Sequence, residues 1–116
     1  MKSILFCAGL LVTIAGCAAD PAPLAQVRLA EQAIAQAEAV GAMQSNAELA
    51  DAQRKLAAAL MELQAERHRQ ARLLAEQAEL DARLAEARVL NEKSQMEITE
   101  LNRRIEQLRE QLGNLQ

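Results

Sequence analysis

The chain has 116 residues and 51% of them are hydrophobic, yet it holds one aromatic, Phe6, and no Trp or Tyr. Alanine supplies 25 positions, leucine 18 and glutamine 12, against four glycines and two prolines. So few rigid side chains and turn formers exclude a β-sandwich, a barrel or an α/β enzyme fold. The bias belongs to long helices and coiled coils, and the expected class is all-α. The formal charge is −3, with both signs interspersed. No basic stripe is available to follow a nucleic acid, so none is expected as a partner.

Residues 1–16 have the layout of a secretory signal: the positive Lys2, an uncharged apolar run from Ile4 to Ile14, then small residues. The run is too short to span a bilayer as a mature helix, which takes about 20 residues. Ile14-Ala15-Gly16-Cys17 resembles the lipobox of bacterial lipoproteins. The alternatives are an ordinary signal cut after an Ala-x-Ala-like site and an uncleaved anchor. The lipobox resemblance implies cleavage between Gly16 and Cys17. It also implies covalent lipid on Cys17, a diacylglycerol on the thiol and an acyl chain of the palmitate kind on the amine. Ala18, rather than Asp, follows the cysteine, which in that class is an outer-membrane address. Cys7 would leave with the signal and Cys17 would be acylated. No disulfide, thiol chemistry or cysteine metal site is then expected.

Residues 17–23 read as a tether, since Pro21 and Pro23 keep it extended and prevent a helix from starting. Helix 1 is expected over residues 24–41. Val27, Ala30, Ile34 and Ala37 form its narrow apolar face, and Gly41 stands just past its end. Residues 42–46 form the turn. Ser45 with Glu48 reads as a capping box for the next helix. A short link implies a helical hairpin, in which helix 1 folds back on Ala50, Leu56, Ala57, Ala58, Leu60 and Leu63.

No Gly or Pro interrupts residues 47–112, so a single helix of roughly 100 Å is expected there. Its end, about residues 80–115, carries the strongest pattern in the chain. Ile98, Leu101, Ile105, Leu108, Leu112 and Leu115 repeat at 3-4-3-4-3 spacing, as the a and d positions of a coiled coil do. Projected backwards, the seam takes in Asn91, Leu84 and Leu80, and it weakens there, with Ser94, Gln77, Gln70 and Glu66 also on it. β-Branched a positions with Leu at d favour two parallel strands, and a single Asn at a fixes register. The flanking charges conflict with that. A parallel pair would face Arg104 with Arg109, Arg83 with Arg88 and Glu76 with Asp81. Antiparallel pairing, a higher oligomer or a different protein would each remove the conflict. Leu29-Ala30-Glu31-Gln32-Ala33 recurs as residues 74–78, a match short enough for chance in so biased a chain.

Catalytic constellations are nearly absent. His68 is the lone histidine and lies in a charged stretch, as a surface residue does. The carboxylate pairs Glu62/Glu66 and Glu106/Glu110 have no expected cleft to desolvate them. Met43, Met61 and Met96 are too scattered for a copper or haem box. The chain is not expected to be an enzyme or to hold a metal or cofactor beyond the lipid.

The Ala-rich hairpin, with Gly41-Ala42, Ser45 to Leu49, Ala52-Gln53-Arg54-Lys55-Leu56 and Leu74 to Ala82, resembles a family of small bacterial outer-membrane lipoproteins known as a domain of unknown function. Some members of that family continue into an OmpA-like domain, which is not seen here. The resemblance implies a protein on the periplasmic face of the outer membrane. The murein lipoprotein shares the plan of anchor plus helix but ends in the lysine that joins peptidoglycan. Here Gly113-Asn114-Leu115-Gln116 stand last, so no covalent peptidoglycan link is expected.

Two functions follow as expectations. In the first, the chain is a structural or adaptor coiled coil of the envelope, its seam meeting another periplasmic helical protein. In the second, it is a homo-oligomeric strut spacing the outer membrane from peptidoglycan. A helix lying on the membrane surface would need a broad apolar face flanked by Lys and Trp, which the sequence lacks.

Overall fold

The computed structural model describes residues 20–43 and 46–114. Three helices account for most of them: α1 over Leu24–Ala39, α2 over Ala47–Gln64 and α3 over His68–Gly113. α1 and α2 form the expected hairpin. Its first turn is set by backbone chemistry at Gly41, whose φ of 101° is open to glycine and costly for any residue with a Cβ. The Gly41 N–H donates to Glu38 O and the Ala42 N–H to Ala37 O, both at 2.9 Å. These two bonds are a Schellman closure, and they satisfy carbonyls that the helix end would otherwise leave bare. The cap of α2 is Asn46, whose side chain accepts from the Leu49 N–H at 3.0 Å. The capping box expected from Ser45 with Glu48 falls on Ser45, which lies outside the described residues.

The single helix expected over residues 47–112 is broken. α2 ends at Gln64, and the chain turns through Ala65, Glu66 and Arg67 before α3 begins. Glu66 takes the left-handed position with φ 58°. The Glu66 N–H donates to Leu63 O and the Arg67 N–H to Glu62 O, both at 3.0 Å. The same closure that ends α1 at a glycine therefore ends α2 at a glutamate, at a steric cost of about 1 kcal/mol. Part of the offset is visible in the side chains, where the Arg67 guanidinium grips the Glu62 carboxylate across the break. That pair draws the Glu62 carboxyl below its usual range, chiefly through the hydrogen bond from Arg67. With the break in place, α3 has 46 residues, about 69 Å at 1.5 Å each.

α2 runs antiparallel to α3, and α1 runs parallel to it. Lys55 Nζ meets Asp81 at 2.5 Å and Arg88 pairs with Glu48, which fixes the α2–α3 register. Gln53 Nε2 donates to Glu38 at 2.9 Å between α1 and α2. Lys93 Nζ donates to Val40 O at 2.7 Å, placing a cation on the negative end of α1. The bundle thus ends near Lys93, and the last twenty or so residues of α3 continue alone.

The core is built mostly of alanine. Val27, Ala30, Ala33, Ile34 and Ala37 are buried on α1, as are Leu49, Ala52 and Ala59 on α2 and Ala71, Ala75, Ala78, Ala82 and Ala85 on α3. Methyl groups at the contact let three helices approach closely, and Leu49, 1% exposed, is the largest side chain to fill the space. The face expected for α1 is the one buried. The face expected for α2 is displaced. Leu49, Ala52, Leu56 and Ala59 pack inward, whereas Ala57 and Leu60 are exposed. With α1 on one side and α3 on the other, the 3-4-3 row beginning at Leu49 sits between them.

Asp20 to Pro23, the end of the expected tether, fold against the bundle. His68 Nδ1 lies 2.6 Å from Asp20 O, and the Asp20 carboxylate stands 3.7 Å from Arg72. Pro23 is fully buried. His68 is therefore a fastening for the start of the fold, a role its charged surroundings did not suggest.

Candidate interaction surface

α3 has two apolar faces. Ala71, Ala75, Ala78, Ala82 and Ala85 recur at 4-3-4-3 spacing and are covered by α1 and α2. Leu80, Leu84, Ile98, Leu101, Ile105, Leu108 and Leu112 lie on the other, exposed face. At 100° per residue, the centres of the two stripes are about 150° apart. Both bundle helices sit on the alanine side, so the leucine side faces solvent along the whole of α3. Leu80 is 66% exposed, Leu101 57% and Leu112 65%. Asn91 is also exposed, at the a position expected for it. Leu73, seven residues before Leu80, joins the same stripe, which therefore begins at the base of α3 and is interrupted by Gln77, Ala87, Asn91 and Ser94 before Ile98. Leu115, Gly16 and Cys17 lie outside the described residues.

An exposed row of branched aliphatic side chains this long is unusual for a surface that meets only water. Beyond Lys93 nothing among the described residues covers it. The seam side chains make the surface apolar, and the charged side chains alongside are tied down within the same helix. Arg104 pairs with Glu100 at 3.0 Å, Arg109 with Glu106 at 2.7 Å and Arg83 with Glu79 at 2.5 Å. Glu100 also receives Arg103 at 2.9 Å. Hydrogen bonds from Arg103 and Arg104 lower the Glu100 carboxyl to about 2.

The surface carries no visible chemistry of its own. Its concavities are shallow and open, such as the one lined by Met96, Glu97, Glu100, Leu101 and Arg104. Among the described residues, no three His, Cys, Asp or Glu side chains converge as a metal site requires. Among those residues, no helix is long and apolar enough to cross a membrane. The sequence reading missed the alanine face of α3, although its 4-3-4-3 spacing from Ala71 to Ala85 was there to be read.

The sequence profile of a domain of unknown function, DUF4398, matches residues 25–101. The chain belongs to the DUF4398 family. The matched segment takes in α1, α2 and α3 as far as the first turns of the free part. A crystal structure of a DUF4398 family protein from Pseudomonas aeruginosa PAO1 is similar at 56% sequence identity. The match covers 83% of this chain and 100% of that one, with a TM-score of 0.80. No curated protein matches the chain. Membership of a domain-of-unknown-function family, read from the sequence, is thereby established, and the all-α plan stands, with the long helix confined to His68–Gly113.

Proposed function

We propose that this DUF4398 protein is a lipoprotein of the outer membrane, held on the periplasmic face through Cys17. In this reading it is non-enzymatic and serves as a structural or adaptor coiled coil in the organisation of the envelope. The observation that carries it is the leucine stripe of α3, exposed from Leu73 to Leu112 while the bundle is complete without it. A lipobox at residues 14–17 supplies the anchor. The fold supplies direction. The chain enters the bundle at Asp20, beside the base of α3, and the tip of α3 is the point farthest along that helix from the entry. An anchored molecule would therefore hold its seam outward from the membrane. Three acyl chains on one cysteine give stable attachment, at about 0.8 kcal/mol per buried CH₂.

Metabolic labelling with palmitate, followed by membrane fractionation, tests this reading. The wild-type chain should take up label and sediment with outer membranes after a high-salt wash. Cys17→Ser should take up none and leave that fraction. Label that persists in Cys17→Ser, or wild type recovered with the inner membrane, would overturn the assignment.

A further inference from the structure

We infer that the leucine face of α3 pairs with the same face of a second copy, parallel and in register, as a two-stranded coiled coil. The inference deepens the proposed function by naming the partner. Its direction rests on the shared anchor of that reading, and the pairing itself rests on the seam.

Three observations converge on this. The first is composition along the stripe. Ile98 and Ile105 stand at a and Leu101 and Leu108 at d, with the polar Asn91 at the preceding a position, a combination that favours two parallel strands along this end of α3. The second is access. α1 and α2 occupy the alanine side, about 150° away at 100° per residue, so a partner helix meets no obstruction along α3.

The third is charge. Parallel pairing faces Arg83 with Arg88, Arg104 with Arg109 and Glu76 with Asp81, which from sequence alone are like charges. In the folded chain, five of these six groups already have a counter-ion. Glu79 holds Arg83, Glu48 of α2 holds Arg88, Glu100 holds Arg104, Glu106 holds Arg109, and Lys55 of α2 holds Asp81. The seam would be flanked by ion pairs rather than bare charges. Two of those counter-ions come from α2, so the hairpin conditions the flank for pairing. An antiparallel pair that sets Leu101 against Leu112 would send the two Asp20 ends to opposite poles. Two chains held by one membrane need both ends on the same side.

Disulfide trapping tests the proposal in the full-length chain, in washed membranes under mild oxidation. Leu84→Cys and Leu101→Cys each place a thiol on the seam, and Gln107→Cys places one on the outward side. A disulfide needs Cβ atoms about 3.5–4.5 Å apart, so both seam variants should give roughly tenfold or more disulfide dimer than Gln107→Cys. Dimer no higher than that control, with helicity by circular dichroism unchanged, would overturn pairing with a second copy. Dimer obtained only when Leu101→Cys and Leu112→Cys chains are mixed would mean antiparallel strands and would overturn the parallel register. The wild-type chain runs alongside. Disulfide dimer from it would report a free thiol at Cys7 or Cys17, which counts against the lipid anchor and leaves the pairing to be judged from the seam variants.

Discussion

The two faces of α3 contrast in an instructive way. One is made of alanine and is buried, and the other is made of leucine and isoleucine and is wet. Hydrophobicity ranks them in the opposite order. Burial here follows how closely a neighbour can approach, and alanine permits three helices to meet along one line. No alanine follows Ala87, and the bundle ends within two turns of it. The larger side chains suit a second kind of contact, in which two helices interlock at a wider spacing.

The sharpest test of this contrast sets a buried leucine against an exposed one. Leu49→Ala should lower stability by about 3 kcal/mol, read as the midpoint of urea unfolding, because it opens a cavity in the bundle. Leu101→Ala, measured on dilute chain, should change it by less than about 0.5 kcal/mol, as surface substitutions do. Equal losses would mean that the seam is covered even at low concentration. Next in size is overfilling. Ala78→Leu puts three more carbons where no space exists and should cost about 2 kcal/mol. The same side chain at Ala87, which is exposed, should be tolerated.

The two helix closures give a smaller pair of opposite signs. Gly41→Ala forces a Cβ into φ 101° and should destabilise by about 1 kcal/mol. Glu66→Gly removes a strained left-handed residue and should stabilise by up to about 1 kcal/mol, measured as a rise in Tm. The smallest effect is in the free segment. Glu100 is ordinarily protonated near 4.5 and in the fold near 2, so its bonds to Arg103 and Arg104 are intact above 4.5 and disappear as pH falls toward 2. Carboxyl ¹³C shifts should show the Glu100 carboxyl titrating well below 4.5, at about 2. Glu100→Gln should abolish the acid loss of local helicity there.

The sequence disclosed more of the periodic parts than of the joints. Helix 1, its buried face and its glycine stop were legible because Val27, Ile34 and Gly41 each obey a strong local rule. The seam residues were legible as a stripe for the same reason. The break at Ala65–Arg67 was hidden, because Glu66 is a good helix former and the left-handed turn there depends on tertiary packing. Nothing local distinguishes Glu62-Leu63-Gln64-Ala65-Glu66-Arg67 from continued helix. Only the alanines on both sides, at Ala52, Ala59, Ala75 and Ala82, show that the two segments bury their faces against each other. The part played by His68 was equally out of reach, since its partner is a main-chain oxygen 48 positions away.

The free length of α3 also has a mechanical meaning. From the Asp20–His68 fastening to Gly113 the helix is a single beam, gripped for somewhat more than half its length and cantilevered beyond Lys93. A tilt of about 5° at the gripped end would sweep the tip by roughly 6 Å over the 69 Å or so of helix. Small rotations of the bundle at its base are therefore read out as displacements of a whole side chain's width at the far end.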